Sequence, residues 1–218
     1  MIMDSIGVKG YVILSLYDGK GGPLKQQMEI ENLVTTAGKN FIVRKMLGAT
    51  ENASKILIGE GTTYQYNITT STQTISGVAL NGKTLAYTPG KVRVTKNGVT
   101  VAPAQYTATS GSSIVLASPA VNTDIIRVFS AVVSAADTAL EGQLAEEPIQ
   151  FSFIDQVQTN QIHYITAFDE DTGTGIISEI GLASNSNPSK LLCRTALTTP
   201  FSKAATDFLV VNWKLQIG

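Results

Sequence analysis

The sequence predicts a mainly β protein, and three observations point to that class. Charged residues make up only 15% of the 218 residues, and Thr, Ser, Asn, Gln and Gly supply the polar remainder, which suits half-buried strands. Apolar and polar residues alternate over short segments. Gly, Pro and Asn separate these segments at spacings near those of a β-sandwich. We expect a β-sandwich or jelly-roll-like base domain with two short helices, carrying an inserted small immunoglobulin-like β-sandwich domain.

Composition also limits the partners that we expect. The net charge is −1 with no run of one sign, so no nucleic-acid partner is expected, because such binding needs clustered Lys and Arg. No apolar run approaches the roughly 20 residues of a membrane span. The start of the chain, "MIMDSIGVKG", lacks the pattern of a secretion signal, so the glycosylation sequons at Asn52 and Asn67 carry little weight. The single Cys193 leaves no internal disulfide.

The chain begins with a predicted strand, turn and strand in "VKGYVILSLYDGKGGPLKQQMEIENLV". The Gly-rich segment 18–23 supplies the reversal. Apolar side chains fall on both faces of the first strand, which predicts burial on both sides. These are Val12, Leu14 and Leu16 on one face, and Tyr11, Ile13 and Tyr17 on the other.

Two helices are predicted. The first spans Ala37–Leu47, with Thr35 or Thr36 as its N-cap and Gly48 as its C-terminal left-handed residue. The second lies in "ALEGQLAEE" at 139–147, where Leu140 and Leu144 are four residues apart. Asp137 or Thr138 would cap this second helix and Pro148 would end it. Strands are predicted on both sides of the helices, and in the last one Leu209, Val211, Trp213, Leu215 and Ile217 form an apolar face.

The segment 64–134 differs from the flanking segments in its residue pattern, and it contains the clearest alternation of apolar and polar residues. Val92 and Val94 alternate with polar residues, and the pair Asn97–Gly98 predicts a two-residue hairpin turn because both residues tolerate a positive φ. The flanking segments resemble each other in pattern. We therefore predict a discontinuous base domain, 1–63 plus 135–218, with 64–134 inserted as a second domain at a loop tip.

No residue cluster predicts catalysis, a cofactor or a metal. The single His163 sits in an alternating strand pattern without a neighbouring acid or nucleophile motif, and Cys193 reads as a small core residue. Asp169, Glu170 and Asp171 form the one acidic cluster, but their spacing does not match a calcium loop, so a solvated hairpin loop is expected. The Gly-containing segments "DGKGGP" and "GEGTT" lack the GK[ST] arrangement of a phosphate loop.

Tyrosines offer an alternative binding chemistry. Tyr64, Tyr66, Tyr87 and Tyr106 all lie in the predicted inserted domain, where they would form a sugar-stacking surface or simply be strand residues.

The outer segments resemble a family of small structural proteins from tailed bacteriophages. The resemblance rests on "NLVTTAGKNFI", "KILIGEGTT", "DTALEGQLAEE", "GTGIISEIGLAS" and the Trp-containing last strand "FLVVNWKLQI". In shorter members the second and third motifs lie almost adjacent, whereas here residues 64–136 separate them. The inserted segment is similar to β-modules of phage fibre-like proteins in "VRVTKNGV", "YTATSGSSIVL" and "DIIRVF". The chain departs from the pattern where "IGLAS" lacks a bulky residue after "IGL".

The resemblance implies a non-enzymatic virion component, made in the bacterial host cytoplasm. Its partners would be further copies of itself and other virion proteins, either the major capsid protein or tail and neck proteins. We expect a capsid decoration or cement protein that binds the shell through its base domain. The alternatives are a tail, collar, baseplate or fibre-attachment accessory protein, and a glycan-binding module that docks on the host surface through the inserted domain.

Overall fold

The computed structural model describes residues 7–186 and 189–218, without the side chain of Thr198. The start of the chain, considered above for a secretion signal, lies in part outside these ranges. The described residues form sixteen strands, one α-helix and a 3₁₀ turn, which confirms the mainly β prediction.

Most connections between the elements are short, and the longest are residues 77–91 and 131–142. The helix α1 spans Thr36–Met46 and the 3₁₀ turn spans Pro103–Gln105. The strands are β1 (Val8–Tyr17), β2 (Leu24–Val34), β3 (Ala53–Gly59), β4 (Thr62–Asn67), β5 (Thr72–Ser76), β6 (Val92–Lys96), β7 (Val99–Thr100), β8 (Tyr106–Thr107), β9 (Ser113–Ala120), β10 (Ile125–Ser130), β11 (Gln143–Pro148), β12 (Phe151–Ile154), β13 (Gln161–Phe168), β14 (Gly175–Ser184), β15 (Leu191–Lys203) and β16 (Phe208–Ile217).

Nine strands form one curled antiparallel sheet in the order β11-β3-β14-β15-β2-β1-β16-β13-β12. Its two end strands, β11 and β12, are only two residues apart in the sequence. The linking residues join both ends of the sheet, since the Ile149 N–H donates to the Ser54 carbonyl at 2.8 Å and the Gln150 N–H donates to the Ile165 carbonyl at 2.9 Å. The sheet therefore closes on itself at this point and encloses a core.

The core of this sheet is built from the alternating apolar residues that the sequence showed. In β16, Leu209, Val211 and Trp213 are fully buried and Leu215 is 8% exposed, which confirms the predicted inner face for these four residues. The fifth, Ile217, is 39% exposed at the end of the strand. In β1 only one face is buried, and Tyr11 and Ile13 on the other face are half-exposed. The prediction that β1 is buried on both sides is therefore wrong.

The first predicted helix is confirmed to within one residue. Thr35 is its N-cap, and its Oγ1 accepts a hydrogen bond from the Gly38 N–H at 3.0 Å. Gly48 follows the helix with a φ of +84°, as a left-handed C-terminal residue requires. Phe41 is buried and anchors the helix across one end of the sheet.

The second predicted helix is wrong, because this segment contains strand β11. Residues Gln143–Pro148 pair with β3, and the Gly142 N–H donates to Oε1 of Glu179 at 2.9 Å. Leu140 and Leu144 are four residues apart, yet each packs against apolar side chains from an extended chain. Pairing with the edge of β3 gives the backbone of this segment hydrogen-bond partners, and this tertiary gain outweighs the local preference for helix.

The segment 64–134 contributes two small sheets, β4-β10-β6-β7 and β5-β9-β8. Their apolar residues form a cluster separate from the core of the large sheet. The predicted turn at Asn97–Gly98 is confirmed, with φ values of +53° and +82° between β6 and β7. The first and last strands of the segment, β4 and β10, pair with Thr62 opposite Ser130. An inserted domain would have this arrangement, although the domain boundaries stay a prediction.

A buried charge cluster joins this segment to the large sheet. Arg194 of β15 contacts carboxylates of Glu179 at 2.5 Å, Asp137 at 2.5 Å and Glu141 at 3.2 Å. The Glu141 carboxylate also accepts hydrogen bonds from the Thr62 hydroxyl and the Val132 N–H. Arg194 is 2% exposed and Glu179 is 0% exposed. Burial raises the pKa of Glu179, and the charge of Arg194 opposes that shift.

A second set of ionic contacts lies within the segment 64–134, near the Asn97–Gly98 turn, and we call it the Asp124 clip. The Asp124 carboxylate accepts hydrogen bonds from Lys96 at 2.7 Å, from the Val121 N–H at 2.7 Å and from the Asn97 side chain at 2.8 Å. The hydrogen bond from Lys96, followed by those from Val121 and Asn97, lowers the pKa of Asp124 from 3.8 to about 2. The clip holds the hairpin against the loop before β10.

Replacing Arg194 by Met should destabilise the protein by about 3–5 kcal/mol, because three carboxylates lose their buried cation. The matched control is Lys55→Met, which removes a half-exposed pair with Glu146 and should cost about 0–1 kcal/mol. Urea unfolding measures both free energies. Equal losses in the two variants would show that the buried cluster adds no stability.

The hydrogen bonds of Asp124 should make the free energy of unfolding depend on pH. Its carboxyl has a lower pKa in the folded chain than in the unfolded one, so its contribution is complete above about pH 4 and is lost as the pH falls towards about 2. In thermal melts between pH 7 and pH 2, Asp124→Asn should melt lower than the wild type at pH 7, and the difference should vanish near pH 2. The exposed control Asp171→Asn should follow the wild type. A constant difference for Asp124→Asn at every pH would contradict the assignment.

Candidate interaction site

His163 lies on the outer face of β13, where the residue is 6% exposed. Its Nδ1 is 3.1 Å from Oδ1 of Asn212, and its Nε2 is 3.2 Å from both Asp155 Oδ2 and Gln161 Oε1. Phe153 stacks on the ring with centroids 4.6 Å apart. The contact with Asp155 was not predicted from the sequence, because a loop brings this carboxylate back to a residue eight positions further along the chain. Both ring nitrogens are occupied, so His163 fixes this loop to the sheet.

Cys193 lies inside the core of the large sheet and is 1% exposed. Burial raises the pKa of its thiol, so the thiolate that a nucleophile requires is disfavoured. The structure does not bring Cys193 and His163 together, since Cys193 lies in the core on β15 and the ring nitrogens of His163 on β13 contact Asn212, Asp155 and Gln161 instead. The absence of enzymatic activity stays a prediction.

The acidic cluster Asp169–Asp171 lies in an exposed loop, as predicted, but this loop joins β13 to β14, which do not pair with each other, so the predicted hairpin is wrong. Lysines and backbone groups hold the loop. Lys203 donates to the Asp169 carbonyl at 2.9 Å, and the Lys20 N–H donates to the Glu170 carboxylate at 2.9 Å. Asp171 has a φ of +63°, as a tight turn requires. Among residues 7–186 and 189–218, no group of three or more His, Cys, Asp or Glu side chains is placed to hold a metal ion.

The four tyrosines of the sugar-stacking alternative do not form a common surface. Tyr64 and Tyr87 are each 4% exposed and belong to the core of the segment. Tyr66 and Tyr106 are half-buried, and their hydroxyls donate to the backbone carbonyls of Gly77 and Val92. The two buried rings have no free face to offer a sugar. Binding of a host glycan stays a prediction without support from these side chains.

A groove of about 790 Å³ lies between α1 and the ends of the neighbouring strands, and we call it the α1–β12 groove. Its volume falls within the range of ligand and peptide sites. Lys45 is the one charged residue among those that line it, and its ammonium donates to Asn52 Oδ1 at 3.0 Å. The lining residues are Val8, Phe41, Ile42, Lys45, Met46, Asn52, Ala53, Ser152, Ile154, Thr159, Asn160, Gln161, Ile162, Tyr164, Leu215 and Ile217.

Strand β12 forms one wall of this groove and is also the last strand of the large sheet. It pairs with β13 on one side, and no described strand pairs with its other side. All four of its residues are exposed, including Phe151 at 65%, Phe153 at 48% and Ile154 at 62%. Unpaired apolar edges of this kind are sites where a further strand adds.

Exposed apolar side chains are concentrated around this edge. In the part of the chain that the structure describes, sixteen large apolar side chains are exposed, and seven of them lie on β12, on the loop after it or beside the groove. Exposed apolar patches of this kind mark interaction sites more often than scattered single residues do. The seven are Met46, Leu47, Phe151, Phe153, Ile154, Val157 and Ile217.

The course of the chain explains why this edge is left open. Pro148 is the last residue of β11 that pairs with β3, and the chain then crosses over to pair with β13. Strand β3 begins only at Ala53, so no strand continues beside β12. The sequence indicates this exposed strand, because "FSFI" places apolar residues on both faces. A strand with one face in water would be polar on that face.

No protein family, curated protein or solved structure matches this chain. Within the described ranges, no helix has the length and apolar content needed to cross a bilayer.

The groove should bind an uncharged apolar dye such as Nile red, because its apolar lining is open to solvent. Replacing the exposed Ile154 by Thr should reduce the dye fluorescence by about half, while Val99→Thr, equally exposed in β7, should leave it unchanged. Titration of both variants against the wild type measures this. Equal dye binding by all three proteins would place the apolar site elsewhere.

Proposed function

We propose that this protein is a non-enzymatic structural component of a tailed-bacteriophage virion, and that it decorates or cements the capsid. The observation that carries the proposal is the α1–β12 groove with its unpaired apolar strand, since both are features of a surface that is covered on assembly. The sequence motifs of the outer segments, which resemble small phage structural proteins, supply the class.

The position of the groove suits a protein that grips a shell with one end. Ala53, the first residue of β3, lines the groove, and Gly59, the last residue of β3, leads into the segment 64–134 through Thr62. Seven extended residues span about 20 Å, so the groove and the attachment of the segment lie at opposite ends of one strand. The groove end would bind the shell and the segment would project away from it.

The connection between the two ends is suited to carry load. The Arg194 cluster joins β14 and β15 to residues 137–141 on the chain that returns from the segment. A further contact runs from the Lys91 ammonium to the Ala196 carbonyl at 3.2 Å. These polar contacts fix the segment to the large sheet at two separate points of β15, as a rigid projection needs.

The alternative placements share the same surface but differ in symmetry. A tail, collar, baseplate or fibre-attachment protein would use the groove to join a ring of few subunits. A decoration protein would occupy a lattice of hundreds of equivalent positions. The two placements therefore predict different numbers of copies in each particle.

Quantitative mass spectrometry of purified phage particles, with the major capsid protein as the reference, measures that number. We expect hundreds of copies in a simple ratio to the shell protein. A count between about three and a few dozen would assign the protein to a cyclic neck, tail or baseplate instead. Absence from the particle would overturn the virion proposal altogether.

A further inference from the structure

A crevice of about 270 Å³ opens beside the end of β4 in the segment 64–134, and we call it the β4 crevice. One wall is the last part of β4 with the loop that follows it, and the other wall carries Val78 and Leu80. None of the nine lining residues is charged, while five of them carry an amide or an aliphatic hydroxyl group. The volume is close to the lower limit of about 300 Å³ for ligand sites, so the crevice suits one small unit of a ligand.

Backbone hydrogen bonds hold both walls in place. The Leu80 N–H donates to the Gln65 carbonyl at 2.9 Å, which fixes one wall to the free edge of β4. The Thr123 N–H donates to the Ile68 carbonyl at 2.9 Å, which fixes the loop after β4 to the Asp124 clip. The crevice is therefore open before any ligand arrives, and binding does not have to order its walls.

A chain of hydrogen bonds fixes the direction of one lining amide. The Arg127 Nε–H donates to Oε1 of Gln65 at 2.8 Å, and a guanidinium can only donate, so the orientation of the Gln65 amide is determined. The Gln65 Nε2 then donates to Oδ1 of Asn67 at 3.3 Å. The Asn67 Nδ2 has no hydrogen-bond partner among the described residues, and Asn67 is exposed at the crevice. Asn67 therefore presents a donor, and not an acceptor, to a ligand.

The other lining groups complement this donor. The hydroxyls of Thr69 and Thr70 are exposed, have no partner in the described part of the chain, and can each donate or accept. Val78 is 66% exposed and Leu80 is 63% exposed, so aliphatic surface lies beside these polar groups. A sugar ring combines hydroxyls, which both accept and donate, with apolar C–H groups. Its two kinds of surface match the two kinds of lining.

Other classes of ligand match the lining less well. An anion would be attracted by a cation, but the nearby Arg127 is not a lining residue and its Nε–H is directed to Gln65. A purely apolar ligand would remove the Asn67 amide and the two hydroxyls from water without giving them partners, which costs free energy.

We propose that the β4 crevice binds a neutral sugar unit of a glycan chain. Asn67 donates a hydrogen bond to a sugar hydroxyl, Val78 and Leu80 contact the C–H groups of the ring, and Gln65 and Arg127 are positioning residues. The tyrosine rings of the segment are not needed as a platform. Sugar binding goes beyond the proposed function and is a property of the purified chain.

The location of the crevice suits contact with a host surface. The Thr62 hydroxyl, at the start of β4, donates to Glu141 of the Arg194 cluster, where the segment joins the large sheet. Asn67 is the last residue of β4, and five extended residues span about 17 Å. The crevice therefore lies towards the end of the segment that would project in the proposed virion, and only this biological setting rests on the proposed function.

NMR titration of the ¹⁵N-labelled full chain tests the site. The probes are the methyl glycosides of glucose, galactose, mannose, rhamnose and N-acetylglucosamine. At least one should shift the side-chain amide signals of Asn67 until they saturate. Asn67→Asp keeps the shape but removes the donor, and should weaken binding at least about tenfold. The control Asn122→Asp makes the same charge change at an exposed position outside the crevice, and should bind like the wild type.

Gln65→Glu tests the positioning chain. A glutamate still accepts from Arg127 but cannot donate to Asn67, so the Asn67 amide is free to turn. Binding should weaken about threefold or more, and the Asn67 amide signals should shift already in the ligand-free variant. Thermal unfolding should stay near that of the wild type, which separates positioning from a loss of stability.

Three results would overturn the inference. They are a folded wild type that binds none of the five glycosides, equal affinities of Asn67→Asp and Asn122→Asp, or sulfate shifting the Asn67 signals as strongly as any glycoside does, which would indicate an anion site. Glycoside binding by a protein that is absent from phage particles would keep the sugar site and reject the virion role. A particle component that binds no glycoside would do the reverse, so the two proposals fail separately.

Discussion

The closure of the large sheet by one continuous segment determines most of this structure. Residues 143–154 pair first with β3 and then with β13, so one strand joins both ends of a nine-stranded sheet. Closure removes the edges along most of the sheet and lets side chains from opposite walls share a core that includes Trp213 and Phe168. The hydrogen bonds that close the sheet end at Ile149 and Gln150. Beyond it, β12 has a partner on one side only, and the α1–β12 groove opens beside it.

The buried ions of the Arg194 cluster have a different role. Two of the carboxylates around Arg194 come from residues 137 and 141, in a segment with little secondary structure of its own. Apolar burial alone would leave that segment several ways to pack. The guanidinium of Arg194 donates hydrogen bonds in fixed directions and has little access to water, so few positions of the surrounding carboxylates satisfy it. The cluster therefore determines where the chain returns from the segment 64–134.

The surface that we propose for assembly is separate from the residues that stabilise the fold. Seven of the sixteen exposed large apolar side chains in the described part of the chain lie at β12 and the groove, and the others are dispersed over the rest of the surface. A lone subunit gains nothing from exposing Phe151 and Ile154 to water. In an assembly these residues supply contact area, which is why the unpaired strand bears on the proposed function more than any titratable group does. The residues that suggested chemistry, His163 and Cys193, are engaged in packing and hydrogen bonds.

The sequence by itself determined the β class, the helix α1 with its cap Thr35, the turn at Asn97–Gly98 and the inner face of β16. Each of these depends on a local rule: a side-chain period of two, one capping hydroxyl, or two residues that tolerate a positive φ.

Only the tertiary structure decided the rest. The segment 139–147 satisfies helical spacing, but the open edge of β3 made part of it a strand, and no local pattern encodes which edge is open. Asp155 reaches His163 through a loop, and Glu179, Asp137 and Glu141 reach Arg194 from distant positions. The sequence shows that "FSFI" is apolar on both faces, but its role as an unpaired edge depends on where β3 begins in space. Long-range pairing sets these features, and it is a property of the whole chain.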